Sequence, residues 1–365
     1  MKILVLPGDG IGPEITAATV AVLEAADAAY GLGLELETRD IGLASLPTLG
    51  TTMPQEALDR VREVDATVLG PVSHYEYPPR AEGGINPSAA LRATYQLHAN
   101  VRPCRSVADL SVLRTPMDLI MVRENTEGFY SDRSMVAGTG EFMPDADTAL
   151  SVRKITRRAS TEAARAAFEL AMTRRKRVTA VHKANVLKLS DGLFLESVRA
   201  VAADFPQVEL RELIVDGASA RLIRAPGDFD VIVTTNMFGD ILSDEASELC
   251  GSLGLGGSIN ISREVCVAQA QHGSAPDIAG QGIANPVSLI RSAAMMLDWL
   301  GRRHDSEAYA AAAAAIEVAV DRVIADPTTR TPDLGGTLTT AQVTAAILAG
   351  LTTTTIPPTN EATDD

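Results

Sequence analysis

The residues best suited to chemistry follow an apolar run, Val231–Thr234, that is typical of a buried strand. Asp240 and Asp244 stand four positions apart, so in a helix they share one face, about 5.4 Å apart along the axis. Oxygen ligands without Cys or His partners suit a hard cation such as Mg²⁺ or Mn²⁺. An acidic first helical turn, favoured by the helix dipole, is the alternative explanation.

A third acid strengthens the metal interpretation. Asp216 follows the apolar run Leu213–Val215 and precedes Gly217. Strand ends are where open α/β folds place their ligands. We therefore predict that Asp216, Asp240 and Asp244 bind Mg²⁺ or Mn²⁺.

This constellation resembles the metal-dependent β-decarboxylating dehydrogenases, a family that includes isocitrate, isopropylmalate, homoisocitrate and tartrate/malate dehydrogenases. The similarity extends over roughly residues 1–349 and includes the opening Pro-Gly-Asp-Gly-Ile-Gly-Pro-Glu run at Pro7–Glu14. It implies an α/β, two-domain fold with a central mixed sheet. The glycine spacing G-x-G-x-G does not match the Rossmann fingerprint G-x-G-x-x-G, so a Rossmann fold is not expected.

Composition excludes several other classes of protein. The 365 residues suit about two domains, and the net charge of -15 argues against nucleic acid or an anionic membrane surface as a partner. Three unclustered cysteines indicate neither a disulfide framework nor a zinc site. The apolar run near the start is too short for a signal-peptide core, and no membrane span is expected. We expect a cytoplasmic protein.

Strand-like and helical segments alternate along the chain, as in an α/β layer. One predicted helix opens at Ala89 and continues to Asn100. The resemblance implies a nucleotide-binding large domain (1–98 and 251–350) and a metal, substrate and dimerisation domain (99–250). Within the second domain, an arm at about 131–147 would clasp the second subunit. Residues 351–365 lack apolar periodicity, and we expect them to be a disordered tail.

Three arginines are candidates for binding substrate carboxylates. Arg92, Arg102 and Arg123 resemble the family arginines that grip malate, and guanidinium groups suit planar carboxylates. A single arginine is more often part of a structural ion pair. Three of them in matching local sequence favour the binding role.

Two further residues resemble the catalytic residues of the family. Tyr130 follows the run Arg123–Gly128 and resembles the general acid. Lys183 follows a predicted strand and resembles the lysine that acts as a base in the partner subunit's site. The resemblance therefore implies a homodimer with shared active sites, and a higher oligomer stays open.

The run from His272 to Pro286 resembles the family's adenosine-binding loop. It implies that His272 stacks near adenine, that Gly273 approaches the phosphates and that Asn285 bonds the adenine edge. Asp277, followed by Ile278, would accept hydrogen bonds from both ribose hydroxyls and repel a 2′-phosphate. NAD is therefore predicted rather than NADP.

Residues 71–86 form a long predicted loop, which we interpret as a lid over the substrate or nicotinamide. Asn86 and Ser88 in the helical turn after it are predicted to face the substrate's variable group. They would be unpaired against an apolar substituent, which favours a polar or anionic one with Arg80 as a counter-charge.

The resemblance implies NAD-dependent oxidative decarboxylation of a small-molecule substrate, a 3-substituted (2R)-malate of the isocitrate or homoisocitrate type. A 3-isopropylmalate or tartrate/D-malate dehydrogenase, or an enzyme for a specialised malate analogue, is the alternative. A noncatalytic regulatory subunit of a heteromeric isocitrate dehydrogenase is a different class. Such subunits typically lack part of the Tyr, Lys and Asp set, which is complete here.

Overall fold

A computed structural model describes residues 1–130, 135 and 138–352 of the chain. Its strands are β1 Lys2–Leu6, β2 Glu35–Thr38, β3 Ala66–Leu69, β4 Ala99–Arg105, β5 Asp118–Glu124, β6 Glu141–Asp145, β7 Thr148–Ser151, β8 Arg177–His182, β9 Glu209–Ile214, β10 Val231–Thr234, β11 Ile259–Ile261 and β12 Cys266–Gln269. Its helices are α1 Gly12–Tyr30, α2 Leu46–Leu49, α3 Gln55–Arg60, α4 Pro87–Thr94, α5 Arg157–Met172, α6 Ser190–Ala202, α7 Val215–Arg224, α8 Asn236–Cys250, α9 Val287–His304, α10 Glu307–Ala325 and α11 Thr340–Thr352.

Within these residues, ten strands form one sheet in the order β2-β1-β3-β12-β11-β4-β5-β10-β8-β9. Pairing is parallel towards both edges, whereas β11 runs antiparallel to β12 and β4, and β4 runs antiparallel to β5. Strands β3 and β10 are buried along their whole length because helices cover both faces of the sheet. The predicted α/β fold with a central mixed sheet is confirmed.

The two faces of the sheet differ in their cores. On one face, a single apolar cluster that includes Ile3 and Val233 extends along the sheet beneath α1, α5, α9 and α10. On the other face, one cluster packs under α7 and α8 and a second lies beside α3 and α4. Alternation along each strand places the polar residues Asn100, Arg123 and Asn260 on this second face, and they are neighbours across β5, β4 and β11. A polar stretch therefore separates the two smaller cores.

The predicted division at 98/99 and 250/251 falls between the neighbouring strands β11 and β4. Strand β4 begins at Ala99, and α8 ends at Cys250. The sheet continues across this boundary, and the division into two domains stays a prediction.

The helix predicted from Ala89 to Asn100 is wrong beyond Thr94. Gln96 adopts a positive φ of 51°, which ends the helical path, and residues 99–105 form β4 instead. Pairing with both β5 and β11 satisfies the backbone of this segment, so long-range sheet formation overrides the local helical pattern.

The predicted clasp arm is described in part. Strands β6 and β7 form a two-stranded hairpin that is separate from the main sheet, and its large apolar side chains Phe142, Met143 and Leu150 are 50%, 62% and 46% exposed. Residues 131–134 and 136–137 of the arm lie outside the described residues, as do residues 353–365 of the predicted tail. Among the described helices, none has the length and apolarity needed to span a membrane.

Candidate active site

A cavity of about 540 Å³ lies over the polar stretch of the sheet. The lid residues 71–76, the first turns of α4, the sheet residues of β4 and β5, and the loop 269–276 form its walls. The predicted site residues that line it are Asn86, Ser88, Arg92, Arg102, Arg123, Tyr130, Asp240, His272 and Gly273. The fold thus brings together predicted site residues that lie up to 187 positions apart in the sequence, from Asn86 to Gly273.

Arg102 and Arg123 reach the cavity from inside the sheet. They are only 5% and 3% exposed. Asn100 Oδ1 accepts a hydrogen bond from Arg102 Nε at 2.5 Å, and Asn236 Oδ1 accepts one from Arg123 Nε at 2.9 Å. Neutral amide oxygens thus hold both guanidinium groups from behind, which fixes the direction of their remaining donors. The sequence analysis missed Asn100 and Asn236.

Asp240 and Asp244 lie on one face of α8, as predicted, and both carboxylates face the same guanidinium group. Arg102 Nη1 is 2.9 Å from Asp244 Oδ1, and its Nη2 is 3.5 Å from Asp240 Oδ1. Arg123 also forms an ion pair with Asp240. The Tyr130 hydroxyl donates a hydrogen bond to Asp240 Oδ2 at 3.2 Å. The proposed general acid therefore lies beside a proposed metal ligand.

Lys183 and Asp216 lie outside the cavity. They form a direct ion pair at the carboxyl ends of β8 and β9, and neither lines the cavity. The hydrogen bond from Lys183 lowers the pKa of Asp216, whose side chain is 66% exposed. Within residues 1–130, 135 and 138–352, no three Asp, Glu, His or Cys side chains come together as a metal site. The three predicted acids do not converge within one chain.

The two acids that do converge fit a hard cation. They supply carboxylate oxygens, and Gln271 Nε2 donates to Asp244 Oδ1 at 3.2 Å. Gln271 Oε1 is buried, and nothing in the described part of the chain donates a hydrogen bond to it. An acceptor left over on the side chain that contacts Asp244 matches the oxygen-rich surroundings that Mg²⁺ and Mn²⁺ prefer.

The predicted cofactor residues are divided between the cavity and its surroundings. His272 and Gly273 line the cavity, whereas Asp277 and Ile278 lie on a short 3₁₀ turn, Pro276–Ile278. Burial lowers the pKa of His272, which favours a neutral ring suited to stacking. One donor of the Asn285 amide is engaged, because its Nδ2 donates to Asp333 Oδ2 at 3.0 Å. The second N–H of Nδ2 remains as the donor for an adenine bond.

The predicted substituent pocket contains a residue that the sequence analysis missed. Ser88 Oγ donates to Gln269 Oε1 at 3.0 Å, and Asn86 Oδ1 caps α4 by accepting from the backbone N–H of Ala89 at 3.1 Å. Gln269 is the polar residue that ends β12, which is the signal that would have revealed it. Arg80 is exposed and does not line the cavity, so its suggested role as a counter-charge finds no support.

The run Arg123–Gly128 contains two buried carboxyl groups. Glu124 accepts hydrogen bonds from the backbone and side chain of Thr126, and Glu127 accepts the same pair from Thr156. Burial raises the pKa of Glu124, and burial together with Glu124 raises the pKa of Glu127 to about 7. Because Thr156 is the N-cap of α5, Glu127 fastens the end of β5 to the start of this helix.

The isocitrate/isopropylmalate dehydrogenase family matches residues 2–347 of the chain. The protein belongs to this family. It is 42% identical over 352 residues to an isocitrate/homoisocitrate dehydrogenase of Thermus thermophilus, and this alignment covers 96% of the chain and 98% of the relative. It is 40% identical over 348 residues to a 3-isopropylmalate dehydrogenase of Methanothermobacter thermautotrophicus, with 95% and 97% of the two chains covered.

A solved structure agrees with these matches. The crystal structure of isocitrate dehydrogenase from Methylococcus capsulatus superimposes with a TM-score of 0.82 at 40% sequence identity. The match covers 96% of this chain and 99% of that one. The predicted family and fold are therefore confirmed, and so is the reaction class, oxidative decarboxylation of a 3-substituted malate. The relatives include both the favoured substrate types and one of the alternatives.

Proposed function

We propose that the protein catalyses NAD-dependent oxidative decarboxylation of a 3-substituted (2R)-malate with a polar or carboxylated substituent, as in isocitrate or homoisocitrate. The observation that carries this proposal is the cavity in which Arg92, Arg102 and Arg123 meet Tyr130 and Asp240. Three guanidinium groups suit a substrate with several carboxylates, and the pocket beside them holds Ser88.

The arginines and acids of the site support this substrate class by their charges. Asp240 and Asp244 now neutralise Arg102 and Arg123. Substrate carboxylates would take their place on the guanidinium groups, and the released acids would bind the cation. The buried charges of Arg102 and Arg123 would then be paired with carboxylates both before and after the substrate binds, which keeps the desolvation cost of binding low.

We assign the proton transfers to Tyr130 and Lys183. Bound NAD would accept the hydride, and bound Mg²⁺ or Mn²⁺ would supply Lewis-acid polarisation of substrate oxygens. Lys183 accepts the proton of the 2-hydroxyl, and Tyr130 protonates C3 after CO₂ has left. Arg102 and Arg123 align the departing carboxylate, which is a positioning contribution. The acidic side chain of Asp277 supports NAD over NADP because it would repel a 2′-phosphate.

We further propose that a second copy of the chain completes each site. The Lys183–Asp216 pair lies beside exposed apolar residues, with Val186 65% exposed, Leu189 91% exposed and Ile214 36% exposed. On α8, Ile241 is 59% exposed directly after the cavity residue Asp240. Exposed apolar groups around both halves of the site favour an interface that brings them together.

The same interface accounts for the hairpin β6–β7, whose exposed apolar residues suit a clasp on the partner. A homodimer with shared active sites is the smallest assembly that fits. The chain would divide into the two domains given above, with their boundary beneath the cavity. Free, buried Cys104, Cys250 and Cys266 support a reducing, cytoplasmic location.

Initial rates on a panel of substrates test this function. The purified protein is offered isocitrate, homoisocitrate, 3-isopropylmalate, D-malate and tartrate with Mg²⁺ or Mn²⁺, first with NAD and then with NADP. We expect the highest kcat/KM with NAD and a carboxylated malate. A preference for 3-isopropylmalate would refute the assignment of the substituent pocket, and a preference for NADP would refute the role of Asp277.

A further inference from the structure

The glycine-rich run Pro7–Pro13 connects two walls of the cavity. The backbone N–H of Asp9 donates to Pro71 O at the start of the lid at 2.8 Å, and that of Ile11 donates to Ser274 O at 2.9 Å. A Cβ atom on Gly8 would lie 2.2 Å from Pro71 O, and one on Gly10 would lie 2.1 Å from Ser274 O. The glycines therefore allow the run to touch both the lid and the loop 272–276.

Asp9 lies at the centre of this junction and is 4% exposed. Its Oδ1 accepts a hydrogen bond from the backbone N–H of Leu43 at 2.7 Å. Its Oδ2 accepts one from the backbone N–H of Ser73 at 2.9 Å and another from the Tyr77 hydroxyl. One carboxylate therefore joins three segments of the chain, and one of its oxygens binds the lid twice.

The two lid residues that bind Asp9 flank the tip of the lid. Between Ser73 and Tyr77 lie His74, Tyr75 and Glu76, which all line the cavity. Tyr75 is 92% exposed, and its ring lies 3.9 Å from that of His74 between centroids. Both ends of this short tip are thus held by the same oxygen, Asp9 Oδ2.

The tip is also joined to the predicted cofactor loop. Ser73 Oγ and Ser274 Oγ form a hydrogen bond of 2.8 Å, and Ser274 is 8% exposed beside the cavity residue Gly273. Burial, followed by the bond to Asp9, raises the pKa of Tyr77 above its usual range, so the hydroxyl stays a donor at neutral pH.

We propose that Asp9 and Tyr77 are positioning residues that hold the lid tip 74–76 against the loop 272–276 and thereby set the affinity for the nicotinamide cofactor. This inference rests on the proposed function. Neither residue touches the reacting atoms in this scheme. Their loss would raise the dissociation constant of the cofactor and the KM for NAD, with kcat at saturation changed much less, because the arginines and Tyr130 stay in place.

The variant Tyr77→Phe tests the proposal, because it removes the hydroxyl and keeps the half-buried ring. The dissociation constant of NADH is measured by fluorescence titration on the full chain. A hydrogen bond to a charged acceptor predicts a rise of roughly tenfold. Hydrogen exchange of the amides in residues 71–86 should become faster. In a double-mutant cycle, the effects of Asp9→Asn and Tyr77→Phe should be less than additive, because both changes act on the same hydrogen bond.

A second variant and a control separate positioning from general destabilisation. Ser73→Ala breaks the bond to Ser274 but keeps the backbone bond to Asp9, so we expect a smaller rise in the same direction. Tyr309→Phe removes the hydrogen bond of a more deeply buried tyrosine, 2.8 Å to Leu32 O, far from the lid. We expect this control to bind NADH as the wild type does.

Two results would overturn the inference in distinguishable ways. If the wild type binds NADH and Tyr77→Phe binds it equally well with unchanged exchange in the lid, Asp9 and Tyr77 do not position the tip. If the wild type binds neither NADH nor NAD, the proposed function itself fails and the inference falls with it.

Discussion

At the level of single residues, Ser88 carries the distinction between carboxylated and apolar substrates. Its hydroxyl donates to Gln269 in the wall of the cavity, so Ser88→Leu both fills the pocket and removes a polar contact. We expect kcat/KM for a carboxylated malate to fall by roughly 10- to 100-fold, with a smaller loss or a gain for 3-isopropylmalate. Steady-state kinetics on both substrates measure this shift.

The matched control is Ser88→Ala, which removes the hydroxyl without adding bulk. A modest loss on the carboxylated substrate is expected, because Gln269 Oε1 still accepts a hydrogen bond from Asn260 Nδ2 at 3.2 Å. Unchanged relative rates on the two substrates in Ser88→Leu would show that this residue does not select the substituent.

Site residues that stand in sequence motifs could be predicted from the sequence, whereas the residues that hold their side chains in place could not. Arg102, Arg123, Tyr130 and Asp240 stand in recognisable runs, and the structure brings them to one cavity. Asn100 and Asn236, which hold the two guanidinium groups, are single amides without a motif. Their roles follow from cross-strand neighbours and from the start of α8, which the sequence does not show locally.

At the level of elements, the junction of β5 and α5 depends on the protonation of Glu127. Its folded-state pKa of about 7 lies above the ordinary value of 4.5. Well below pH 4.5 the carboxyl group is protonated in both the folded and the unfolded state. As the pH rises from 4.5 to about 7, the unfolded state releases this proton first, so the free energy of unfolding falls. Wild-type stability should decline across this window.

The variant Glu127→Gln isolates this effect, since an amide stays neutral and still accepts from the backbone N–H of Thr156. Relative to this variant, we expect the wild type to lose on the order of 2 kcal/mol of unfolding free energy between pH 4.5 and 7. Urea unfolding at several pH values measures the difference. Glu24→Gln, on the exposed side of α1, is the control and should follow the wild type. A wild type that loses no unfolding free energy relative to Glu127→Gln between pH 4.5 and 7, or that gains some, would contradict this assignment.

Most elements follow from local pattern, and the failures come from long-range pairing. The apolar run Val231–Thr234 is strand β10, and the strand predicted before Lys183 is β8, which ends at His182. Residues 95–100 were predicted to continue the helix that opens at Ala89, because nothing local marks the turn at Gln96. The strand that begins at Ala99 depends on pairing with β5 and β11, which lie more than a dozen residues away in sequence.

At the level of the whole molecule, the shared site makes two inactive chains complement each other. Tyr130→Phe and Lys183→Ala should each lower kcat by roughly 10²- to 10⁴-fold. A hybrid dimer, however, contains one site with an intact Tyr130 from one chain and an intact Lys183 from the other. Mixing and reassembling the two variants should restore about a quarter of the wild-type activity if pairing is random.

The complementation experiment also shows whether Lys183 acts in the site of its own chain or in that of the partner subunit. If Lys183 acted within its own chain, no hybrid would contain a complete site, and mixing would restore nothing. Single-variant samples treated in the same way are the controls. An active monomer in solution would equally contradict a shared site.

Asp216 shows why the whole assembly has to be considered. Its position after an apolar run predicted a metal ligand, yet in one chain it pairs with Lys183 outside the cavity. A sequence pattern does not show whether a metal ligand belongs to the site of its own chain or to that of the partner subunit. In the proposed dimer, this depends on the surface of one subunit around Ile214 packing against the surface of the other around Ile241. The proposed dimer reconciles the prediction with the observed pairing.

The most direct test of the proposed reaction is the stoichiometry of its products. Reduced cofactor is followed by absorbance and CO₂ is trapped from the same mixture, with NAD, Mg²⁺ or Mn²⁺, and isocitrate or homoisocitrate. Oxidative decarboxylation predicts equal amounts of NADH and CO₂ at every time point. Formation of NADH without CO₂, or of neither product from a carboxylated malate, would contradict the function assigned to this site.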